Sequence, residues 1–384
     1  MIKLIYINLL GGIVRKTILV FISLILLICL LPLSGCKPDM VEEETTVIDP
    51  KAIEVAEIFI NSFWDSQYKY FFHNNTKKTD GIHLSGPGFG KYTDFWLEAQ
   101  NWQTVMDIYE LQGGETYREL IDKVFQGFSS FYPNYQSNDY NDDIGWWALG
   151  CTRAYSLTND IFYLEKAKEM FDHIYESFSE ELGGGIFWTK GKTEKNVCTN
   201  APAVITAARL AGFLSEEEYL EKAISIFEWI KDNLYDAETG KLNDTVRLDS
   251  TIYEGQFSYN YGTFVGAAYE LYLQTGDSAY LQYTEKPLDY ILSQKIEDGI
   301  MIPEGQGDGA AFRTILFRTL NIFAKSSRPD YQVIINDNAL ATYNNRRISD
   351  SLCGYNWAEI PSDELIIMSV AYAASTSLFQ FYKV

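Results

Sequence analysis

Histidine is almost missing from this chain, which carries only His73, His83 and His173 among its 384 residues. Zinc sites combine His and Cys at short, regular spacings, and these three positions show no such spacing. The sequence therefore predicts no metal site. It contains no other cofactor motif, and we expect the protein to work without a cofactor.

Cysteine is also scarce. Behind the N-terminal segment only Cys151, Cys198 and Cys353 remain, an odd number. One disulfide is possible on this count, but the spacing is not that of a disulfide framework, and buried free thiols fit the composition better.

Positive charge is the third shortage. The chain has 31 Lys and Arg against 52 Asp and Glu, a formal net charge of −21. Nucleic acid is excluded as a partner because phosphate contacts require a basic patch, and an acidic polysaccharide is disfavoured by the same repulsion. The aromatic content of 15%, with 27 Tyr and 8 Trp, suits stacking on sugar rings. A neutral glycan is the partner that this composition favours.

Acidic residues are absent from positions 1–35, which carry Lys3, Arg15, Lys16 and then an apolar run. This pattern predicts an export signal. The signal ends in Leu33-Ser34-Gly35-Cys36, which resembles a lipobox, so we expect cleavage before Cys36 and acylation of this cysteine. A plain secretory signal or an uncleaved anchor is the alternative.

Residues 36–50 are acidic and lack aromatics, as is typical of a tether. Together with the lipid on Cys36, they predict an outer-membrane lipoprotein at the cell surface or the periplasmic face. The membrane contact would be the lipid anchor alone, which holds stably when one cysteine carries several acyl chains. Residues 51–384 show no further linker and are predicted to form one catalytic domain. We expect a monomer.

A repeat organises residues 51–384. Tyr117, Tyr163, Tyr219 and Tyr280 each follow a polar or acidic cap and each open an amphipathic segment. More apolar segments, rich in small residues, alternate with these and are typical of buried helices. The predicted amphipathic helices are 51–69, 115–132, 159–177, 215–234, 277–293 and 329–343, and the predicted buried helices are 94–112, 142–157, 198–213, 258–275, 308–325 and 362–381.

Six outer and six inner helices in strict alternation predict an all-α (α/α)6 barrel of six helical hairpins, with no strands beyond short pieces such as 185–188. Connections from inner to outer helices are short, whereas those from outer to inner helices are long. Alternation places all the long loops at one end of the barrel, over the N-termini of the inner helices. We expect them to wall a functional cleft there.

Asp142 and Asp143 open the second inner helix and are followed by Trp146 and Trp147. Paired carboxylates perform acid, base and nucleophilic chemistry on glycosidic bonds. The plain alternative is a helix cap formed by Asn141 or Asp142, with Asp143 in the first turn. Successive helical side chains point about 100° apart, so one Asp could remain ionised while the other packs against an indole and stays protonated. The spacing alone does not decide which.

Other sugar-compatible groups cluster at the same predicted end of the barrel. They stand at or just before the starts of the inner helices. Those that we assign to substrate binding are Trp96, Trp147, Trp188, Asn196, Asn200, Tyr259, Asn260, Asp308 and Trp357.

Several of these stretches resemble glycoside hydrolase family 76, the endo-α-1,6-mannanases. The matching stretches occur in the family's order along nearly the whole chain behind the leader. They are Tyr140-Asn141-Asp142-Asp143-Ile144-Gly145-Trp146-Trp147, Gly184-Gly185-Ile186-Phe187-Trp188, Lys195-Asn196-Val197-Cys198-Thr199-Asn200-Ala201-Pro202, Tyr259-Asn260-Tyr261-Gly262-Thr263-Phe264-Val265-Gly266-Ala267-Ala268 and Asp308-Gly309-Ala310-Ala311-Phe312-Arg313.

The resemblance implies an (α/α)6 fold and retaining hydrolysis of α-1,6-linked mannose in mannan, with endo action favoured. By the family's pattern Asp142 would be the nucleophile and Asp143 the general acid/base. Asn196, Asn200 and Tyr259, with Asn260, would line the central subsites.

The sequence departs from the family's pattern at three places. Tyr261 stands where a Gln is frequent, Leu97 where a second Trp is, and Phe187 in a loop that usually has two tryptophans. Subsite architecture is therefore open. The competing functions are a surface glycan-binding lipoprotein without activity and another (α/α)6 glycosidase, such as an exo-α-mannosidase or an unsaturated glucuronyl hydrolase.

Overall fold

We describe a computed structural model of the protein, which covers residues 48–383. The predicted signal 1–35, the predicted lipidation site Cys36 and nearly all of the predicted tether 36–50 lie outside the described residues. The export signal, the lipid anchor and the domain boundary at residue 51 therefore stay predictions.

Twelve helices carry the fold of the described residues, and a thirteenth is a four-residue turn at Pro87–Gly90. We number the twelve in chain order: α1 Pro50–Phe63, α2 Phe95–Gln112, α3 Glu115–Phe131, α4 Asn141–Thr158, α5 Ile161–Tyr175, α6 Val197–Leu214, α7 Glu217–Leu234, α8 Ser258–Thr275, α9 Glu285–Lys295, α10 Gly309–Ala324, α11 Tyr331–Asn344 and α12 Ser369–Phe381.

The even-numbered helices form a closed inner ring, in which each packs on the next and α12 returns to α2. The odd-numbered helices form the outer layer. Each packs against the inner helix that precedes it in the ring, so that α3 packs on α2 and α1 packs on α12. This arrangement is the predicted (α/α)6 barrel.

Inner and outer helices differ in how much of their surface is buried. The inner helix α6 is apolar on almost every side and long enough to cross a membrane, yet most of it lies inside the barrel. Between α8 and α10 the packing is so close that a Cβ on Gly262 would come 2.8 Å from Leu316 Cα. The outer helix α3 buries one face only, through residues such as Leu120, Val124 and Phe128.

Two of the four repeated tyrosines join neighbouring outer helices. Tyr163 of α5 donates its hydroxyl to Asp122 of α3 at 2.6 Å, and Tyr219 of α7 donates to Asp172 of α5 at 2.9 Å. Tyr163 and Tyr219 thus each link one outer helix to the preceding outer helix.

The asymmetry of the loops is confirmed. The inner helices α2, α4 and α6 reach the next helix through two residues each, and left-handed residues such as Asn159 (φ 55°) end these helices. The segments 64–94, 176–196, 235–257 and 345–368 are long, and each leads to the N-terminus of an inner helix.

The loops contain a three-stranded antiparallel sheet that the sequence analysis missed. It consists of β3 (Glu194–Asn196), β4 (Thr245–Arg247) and β5 (Ile252–Tyr253), with Lys195 opposite Val246. Two small hairpins complete the strands of the described residues: β1 (Trp64–Asp65) with β2 (Tyr70–Phe71), and β6 (Ile296–Glu297) with β7 (Ile300–Met301). Strands of two or three residues are too short to show a two-residue period in the sequence.

Two predicted helix boundaries are wrong for identifiable reasons. Helix α1 ends at Phe63 instead of residue 69, because the Asp65 carboxylate accepts from the backbone N–H groups of Gln67 and Tyr68 and makes a turn. Helix α12 begins at Ser369 instead of residue 362. The reason is that the Arg347 guanidinium donates hydrogen bonds to backbone carbonyl groups of this segment, including that of Leu365 at 2.9 Å. These carbonyls are then not available for a helix.

The predicted helix 277–293 is divided in the structure. Ser278–Tyr283 forms a 3-10 helix and α9 begins at Glu285. Pro287 stands in the first turn of α9, where a missing N–H costs nothing.

Cys151, Cys198 and Cys353 are all buried free thiols, as predicted.

Candidate active site

A cleft of about 840 Å³ opens at the end of the barrel where the long loops meet. It lies over the N-termini of the inner helices, as the loop lengths predicted. Of the predicted site residues, the cleft is lined by Trp96, Asp142, Asp143, Trp188, Asn196, Tyr259 and Asp308.

Helix α4 presents the aspartate pair, and its first turn is fastened to the Gly-rich loop 183–188. The backbone N–H of Asn141 donates to the carbonyl of Trp188 at 2.8 Å, and its side-chain amide donates to the carbonyl of Phe187 at 2.8 Å. The N-cap residue is Tyr140, and no side chain caps the helix. The alternative in which Asn141 or Asp142 serves as a cap is therefore wrong.

A buried lysine stabilises the Gly-rich loop through hydrogen bonds to backbone carbonyl groups. Lys195 Nζ donates to the carbonyls of Ser179 at 2.8 Å and Gly184 at 2.5 Å. Gly185 has φ +82°, and a Cβ there would lie 2.5 Å from the Trp229 ring. Glycine at this position lets the loop pass over that indole and carry Trp188 to Asp142.

Asp142 receives donors at both carboxylate oxygens. Trp188 donates its indole N–H to Oδ1 at 2.8 Å, and the Cys198 thiol lies 3.5 Å from Oδ2. Burial raises the pKa of Asp142 to about 6, while both donors favour the ionised form and oppose that rise. Asp142 is thus the member of the pair that ionises first.

Asp143 has a different environment. Its Oδ2 accepts from the Asn138 side chain at 2.8 Å. Burial raises the pKa of Asp143 well above its ordinary value, and the negative charge of Asp142 raises it further. With Asp142 ionised, Asp143 retains its proton and is a general acid.

Aromatic rings form one wall of the cleft. Tyr259 stacks on Phe312 with ring centroids 4.0 Å apart and 15° between the planes. The ring centroid of Trp96 lies 6.1 Å from that of Phe312 and 6.1 Å from that of Trp146. Their faces offer the stacking surface that a sugar ring requires.

A second pair of carboxyl groups lies in the cleft beside this wall. Trp96 donates its indole N–H to Asp308 at 3.0 Å, and Asp94 caps α2 by accepting from the backbone N–H of Leu97 at 3.1 Å. Burial, and then the charge of Asp308, raise the pKa of Asp94 to about 6, and burial raises the pKa of Asp308. A carboxyl group accepts hydrogen bonds from sugar hydroxyls when ionised and can also donate one when protonated.

The three-stranded sheet forms another part of the cleft lining. Its strands alternate, so that Glu194, Thr245, Arg247 and Tyr253 line the cleft, together with Asn196, while Lys195 points into the protein. Arg247 pairs with Glu194 at 3.1 Å. Asn196 also caps α6, since its Oδ1 accepts from the backbone N–H of Thr199 at 3.2 Å.

Four predicted substrate-binding residues do not line the cleft. Trp147 is buried completely, donates to the carbonyl of Phe95 at 2.9 Å and stacks on Phe128 at 3.7 Å. Trp357 is also buried and stacks on the Arg313 guanidinium at 3.5 Å. Both predictions are wrong, because these indoles belong to the core.

The other two are amides with internal partners. Asn200 Oδ1 accepts from the backbone N–H of Ile186 at 2.7 Å and its amide donates back to the carbonyl of Ile186 at 2.9 Å. Asn260 donates to Asp244 at 2.6 Å, and Asp244 is the residue that reaches the cleft. Both asparagines support the site from behind instead of lining it.

Sequence reasoning missed several lining residues, including Asp94, Asn138, Trp146, Cys198, Asp244 and Phe312. Trp146 carried a usable signal, because it stands four residues after Asp142 and shares its helix face. The others lie on loops or on neighbouring helices, where only tertiary structure brings them to the pair.

Two adjacent carboxyl groups of unequal acidity, enclosed by aromatic faces at the open end of an (α/α)6 barrel, define the class of the protein as a glycoside hydrolase. The family model of glycosyl hydrolase family 76 matches residues 60–381, and the chain belongs to this family.

Similar solved structures and curated relatives agree with this assignment. The GH76A alpha-1,6-mannanase of Salegentibacter sp. HEL1_6 is 29% identical, with a TM-score of 0.77 over 86% of this chain and 97% of that one. An inactive variant of that enzyme, with two consecutive aspartates replaced by asparagine, has been solved with alpha-1,6-mannotriose.

Among the curated proteins, the mannan endo-1,6-alpha-mannosidase DFG5 of Saccharomyces cerevisiae is 26% identical over 304 residues, which is 70% of this chain and 66% of the relative. DFG5 of Candida albicans is 25% identical over 316 residues, again 66% of the relative. The match thus spans about two thirds of the length of these relatives.

Proposed function

We propose that this protein is a retaining glycoside hydrolase that cleaves α-1,6-mannosidic bonds in mannan or mannan oligosaccharides, with Asp142 as nucleophile and Asp143 as general acid/base. The observation that carries the proposal is the unequal environment of the two aspartates. Trp188 and Cys198 favour charge on Asp142, whereas burial and the neighbouring charge keep the proton on Asp143.

In the first step Asp142 attacks the anomeric carbon and forms a glycosyl ester. The bond from that carbon to the leaving oxygen breaks, and Asp143 gives its proton to this oxygen. Asn138, which donates to Asp143 Oδ2, orients the carboxyl group and stabilises the carboxylate that remains.

In the second step Asp143, now ionised, removes a proton from a water molecule. This water attacks the anomeric carbon, the ester bond to Asp142 breaks, and the sugar leaves with the configuration it had in the substrate. The donors from Trp188 and Cys198 stabilise Asp142 as it becomes a carboxylate again.

The substrate class rests on two supports. The cleft is rich in carboxyl groups, and Arg247 is the single Lys or Arg among its described lining residues, which suits a neutral polymer better than an acidic one. The relatives and the solved structures carry the names of α-1,6-mannan hydrolases. Endo action is favoured because the curated relatives are endo-acting enzymes.

Reducing-sugar release from linear α-1,6-mannan tests the proposal. We expect turnover by the wild-type protein and a loss of at least about 10³-fold in Asp142→Asn and in Asp143→Asn, because each removes one half of the acid–base and nucleophile pair. Glycan binding without turnover by the wild type would leave the non-catalytic glycan-binding lipoprotein as the function. Equal turnover in all three proteins would exclude the aspartate pair from catalysis.

The products distinguish the rival glycosidases. Proton NMR of the first product should show the α-anomer before mutarotation, since a double displacement retains configuration. Chromatography should show a spread of oligosaccharides early in the reaction. Mannose as the sole early product would assign the enzyme as an exo-α-mannosidase instead.

We further propose that the enzyme is a lipoprotein, anchored through Cys36 at the outer membrane, on the cell surface or its periplasmic face. The support is the sequence of residues 1–50. Labelling of cells with an alkyne fatty acid should tag the wild-type protein and spare Cys36→Ala. Labelling of both proteins would place the lipid elsewhere, and labelling of neither would leave a soluble secreted enzyme.

A further inference from the structure

The fold brings two of the three histidines together beside the cleft. The rings of His73 and His83 lie with their centroids 4.9 Å apart. With Asp80 they form a cluster in which one ligand atom from each residue lies within 4.8 Å of the other two. The spacing of these residues in the sequence, from which we predicted no metal site, does not reveal this proximity.

Backbone hydrogen bonds and burial hold His73 in place. Its backbone N–H donates to the carbonyl of Lys91 at 3.0 Å, and its carbonyl accepts from the N–H of Ser369, the first residue of α12, at 2.9 Å. Its side chain is buried, with the residue 2% exposed, and Nε2 finds no hydrogen-bond partner among residues 48–383. A buried nitrogen without a hydrogen-bond partner is costly, and coordination to a metal ion would satisfy it.

Asp80 and His83 form the second side of the cluster, on one tight turn. Asp80 Oδ1 accepts from the backbone N–H groups of Ile82 at 2.8 Å and His83 at 2.9 Å. Its Oδ2 lies 2.6 Å from His83 Nδ1. The turn thus fixes the carboxylate and the imidazole side by side before any ion arrives.

We propose that His73, Asp80 and His83 form a Zn²⁺ site that fastens the rim segment, residues 79–93, to the barrel. Two imidazoles and a carboxylate are ligands that Zn²⁺ prefers, whereas Ca²⁺ and Mg²⁺ prefer oxygen alone. Around a tetrahedral Zn²⁺, with bonds of about 2.0–2.2 Å, ligand atoms stand about 3.3 Å apart. The ligand atoms of the cluster lie within 4.8 Å of one another, so their separations need to change by up to about 1.5 Å to reach this value.

Solvent reaches the cluster, so a water molecule could be the fourth ligand of the zinc ion. The His83 side chain is 31% exposed, whereas that of Asp80 is 7% exposed. The open side of the cluster therefore faces solvent at His83, where a water molecule would be the fourth ligand.

The rim segment gains little stability from packing, so a metal bridge would stabilise its position. It carries Ser85 to the cleft wall, and it exposes three apolar side chains, Ile82 at 79%, Leu84 at 53% and Phe89 at 83%. A segment that buries so little apolar surface gains little stability from packing. A metal bridge to His73 would hold it in place at the edge of the cleft.

Zinc titration of the purified, EDTA-treated and dialysed protein tests the site, with isothermal titration calorimetry as the readout and MgCl₂ as the reference. We expect one Zn²⁺ per chain with a dissociation constant in the micromolar range or tighter, and no comparable binding of Mg²⁺. Asp80→Asn and His83→Gln should each weaken zinc binding at least about 10-fold. His173→Gln is the matched control, because this third histidine lies on α5 outside the cluster, and it should bind zinc as the wild type does.

Two further measurements separate loss of the site from loss of the fold. Near-UV circular dichroism should be the same for wild type, Asp80→Asn and His83→Gln. Zinc should slow proteolytic cleavage within residues 79–93 in the wild type and in His173→Gln only. Equal zinc affinity in wild type, Asp80→Asn and His83→Gln, or no binding by the wild type at 0.1 mM zinc, would overturn the proposal and leave Asp80 and His83 as a simple ion pair.

Discussion

Trp188 donates its indole N–H to Asp142 Oδ1 across 2.8 Å, and this bond joins the Gly-rich loop to the first turn of α4. The same indole lines the cleft. One side chain therefore offers an apolar face to the substrate and a polar edge to the proposed nucleophile. Asp143, the next residue, accepts from Asn138 instead. The two neighbours differ in acidity because different elements of the fold reach them.

The first prediction concerns the dependence of kcat/KM on pH. Asp142 has its pKa raised to about 6, so the rate should fall as pH decreases through this value and the nucleophile becomes protonated. The pKa of Asp143 is raised further, so the rate should fall again at higher pH as the acid loses its proton. We therefore expect a bell-shaped profile, with its acidic limb near pH 6 and its basic limb at higher pH. An acidic limb near pH 4, the ordinary value for Asp, would contradict the effect of burial on Asp142.

The second prediction concerns Trp188→Phe, which keeps an aromatic ring and removes the donor. A hydrogen bond to a charged group contributes about 1.5–3 kcal/mol, so its loss should raise the pKa of Asp142 by roughly one to two units. The acidic limb of the kcat/KM profile should shift upward by that amount. An unshifted limb would mean that the Trp188 indole does not influence the charge on Asp142.

The third prediction concerns Trp147→Phe, the matched substitution in the core. Trp147 donates to the carbonyl of Phe95 and stacks on Phe128. The smaller ring leaves that buried carbonyl unpaired and opens a cavity, which should lower the free energy of unfolding by about 2–4 kcal/mol. Urea unfolding measures this loss. The acidic limb should stay in place, and a shift as large as that of Trp188→Phe would place Trp147 in the catalytic machinery.

The fourth prediction concerns Cys198, whose thiol lies 3.5 Å from Asp142 Oδ2. Cys198→Ser supplies a stronger donor and should lower the pKa of Asp142, whereas Cys198→Ala removes the donor and should raise it. The acidic limb of kcat/KM should therefore move in opposite directions in the two variants, by about half a unit or more. Cys151→Ala, at a buried thiol outside the cleft lining, is the control. Shifts of the same sign in both Cys198 variants would point to a general packing effect.

The fifth prediction concerns stability and Glu98, a buried side chain that accepts from the backbone N–H of Phe71 at 3.1 Å and from the Thr93 hydroxyl. Burial raises its pKa to about 8 in the folded protein. A raised pKa stabilises the fold fully below the unfolded value of about 4.3, and this contribution is lost as pH rises toward 8.

Glu98→Gln stays neutral and should avoid that loss. The free energy of unfolding of the variant, relative to wild type, should rise by roughly 1 kcal/mol per pH unit between about pH 5 and pH 8. Urea titrations at several pH values measure the difference. A difference that does not change with pH would show that Glu98 is ionised at neutral pH in the folded protein.

The helices were the most predictable part of the fold, and their ends were the least. Periodicity located α4 and α7 within two residues at each end. It failed after Phe63 and before Ser369, because hydrogen bonds from Asp65 and Arg347 replace helical bonds there. Such competition depends on where side chains lie in space, so a helical pattern in the sequence does not reveal it.

The candidate site was predictable where helical geometry alone decides it. Asp142 and Asp143 open an inner helix, and that position was enough to place both in the cleft. The choice between the two following tryptophans was not decided in this way, and Trp147 was assigned to the cleft wrongly. Trp146 faces the cleft, while Trp147 packs on Phe128 of the neighbouring helix α3.

By itself the sequence determined the alternation of amphipathic and apolar helices and the lengths of the loops between them. Those two features determine the barrel and the end at which the cleft opens. The reason is that the apolar face of each helix and the length of each loop can be read directly from the sequence. Only the tertiary structure decided which indole reaches Asp142, why Asp143 holds its proton, and that His73 lies beside Asp80 and His83. These relationships depend on desolvation and on contacts between distant segments, and both exist only once the barrel has closed.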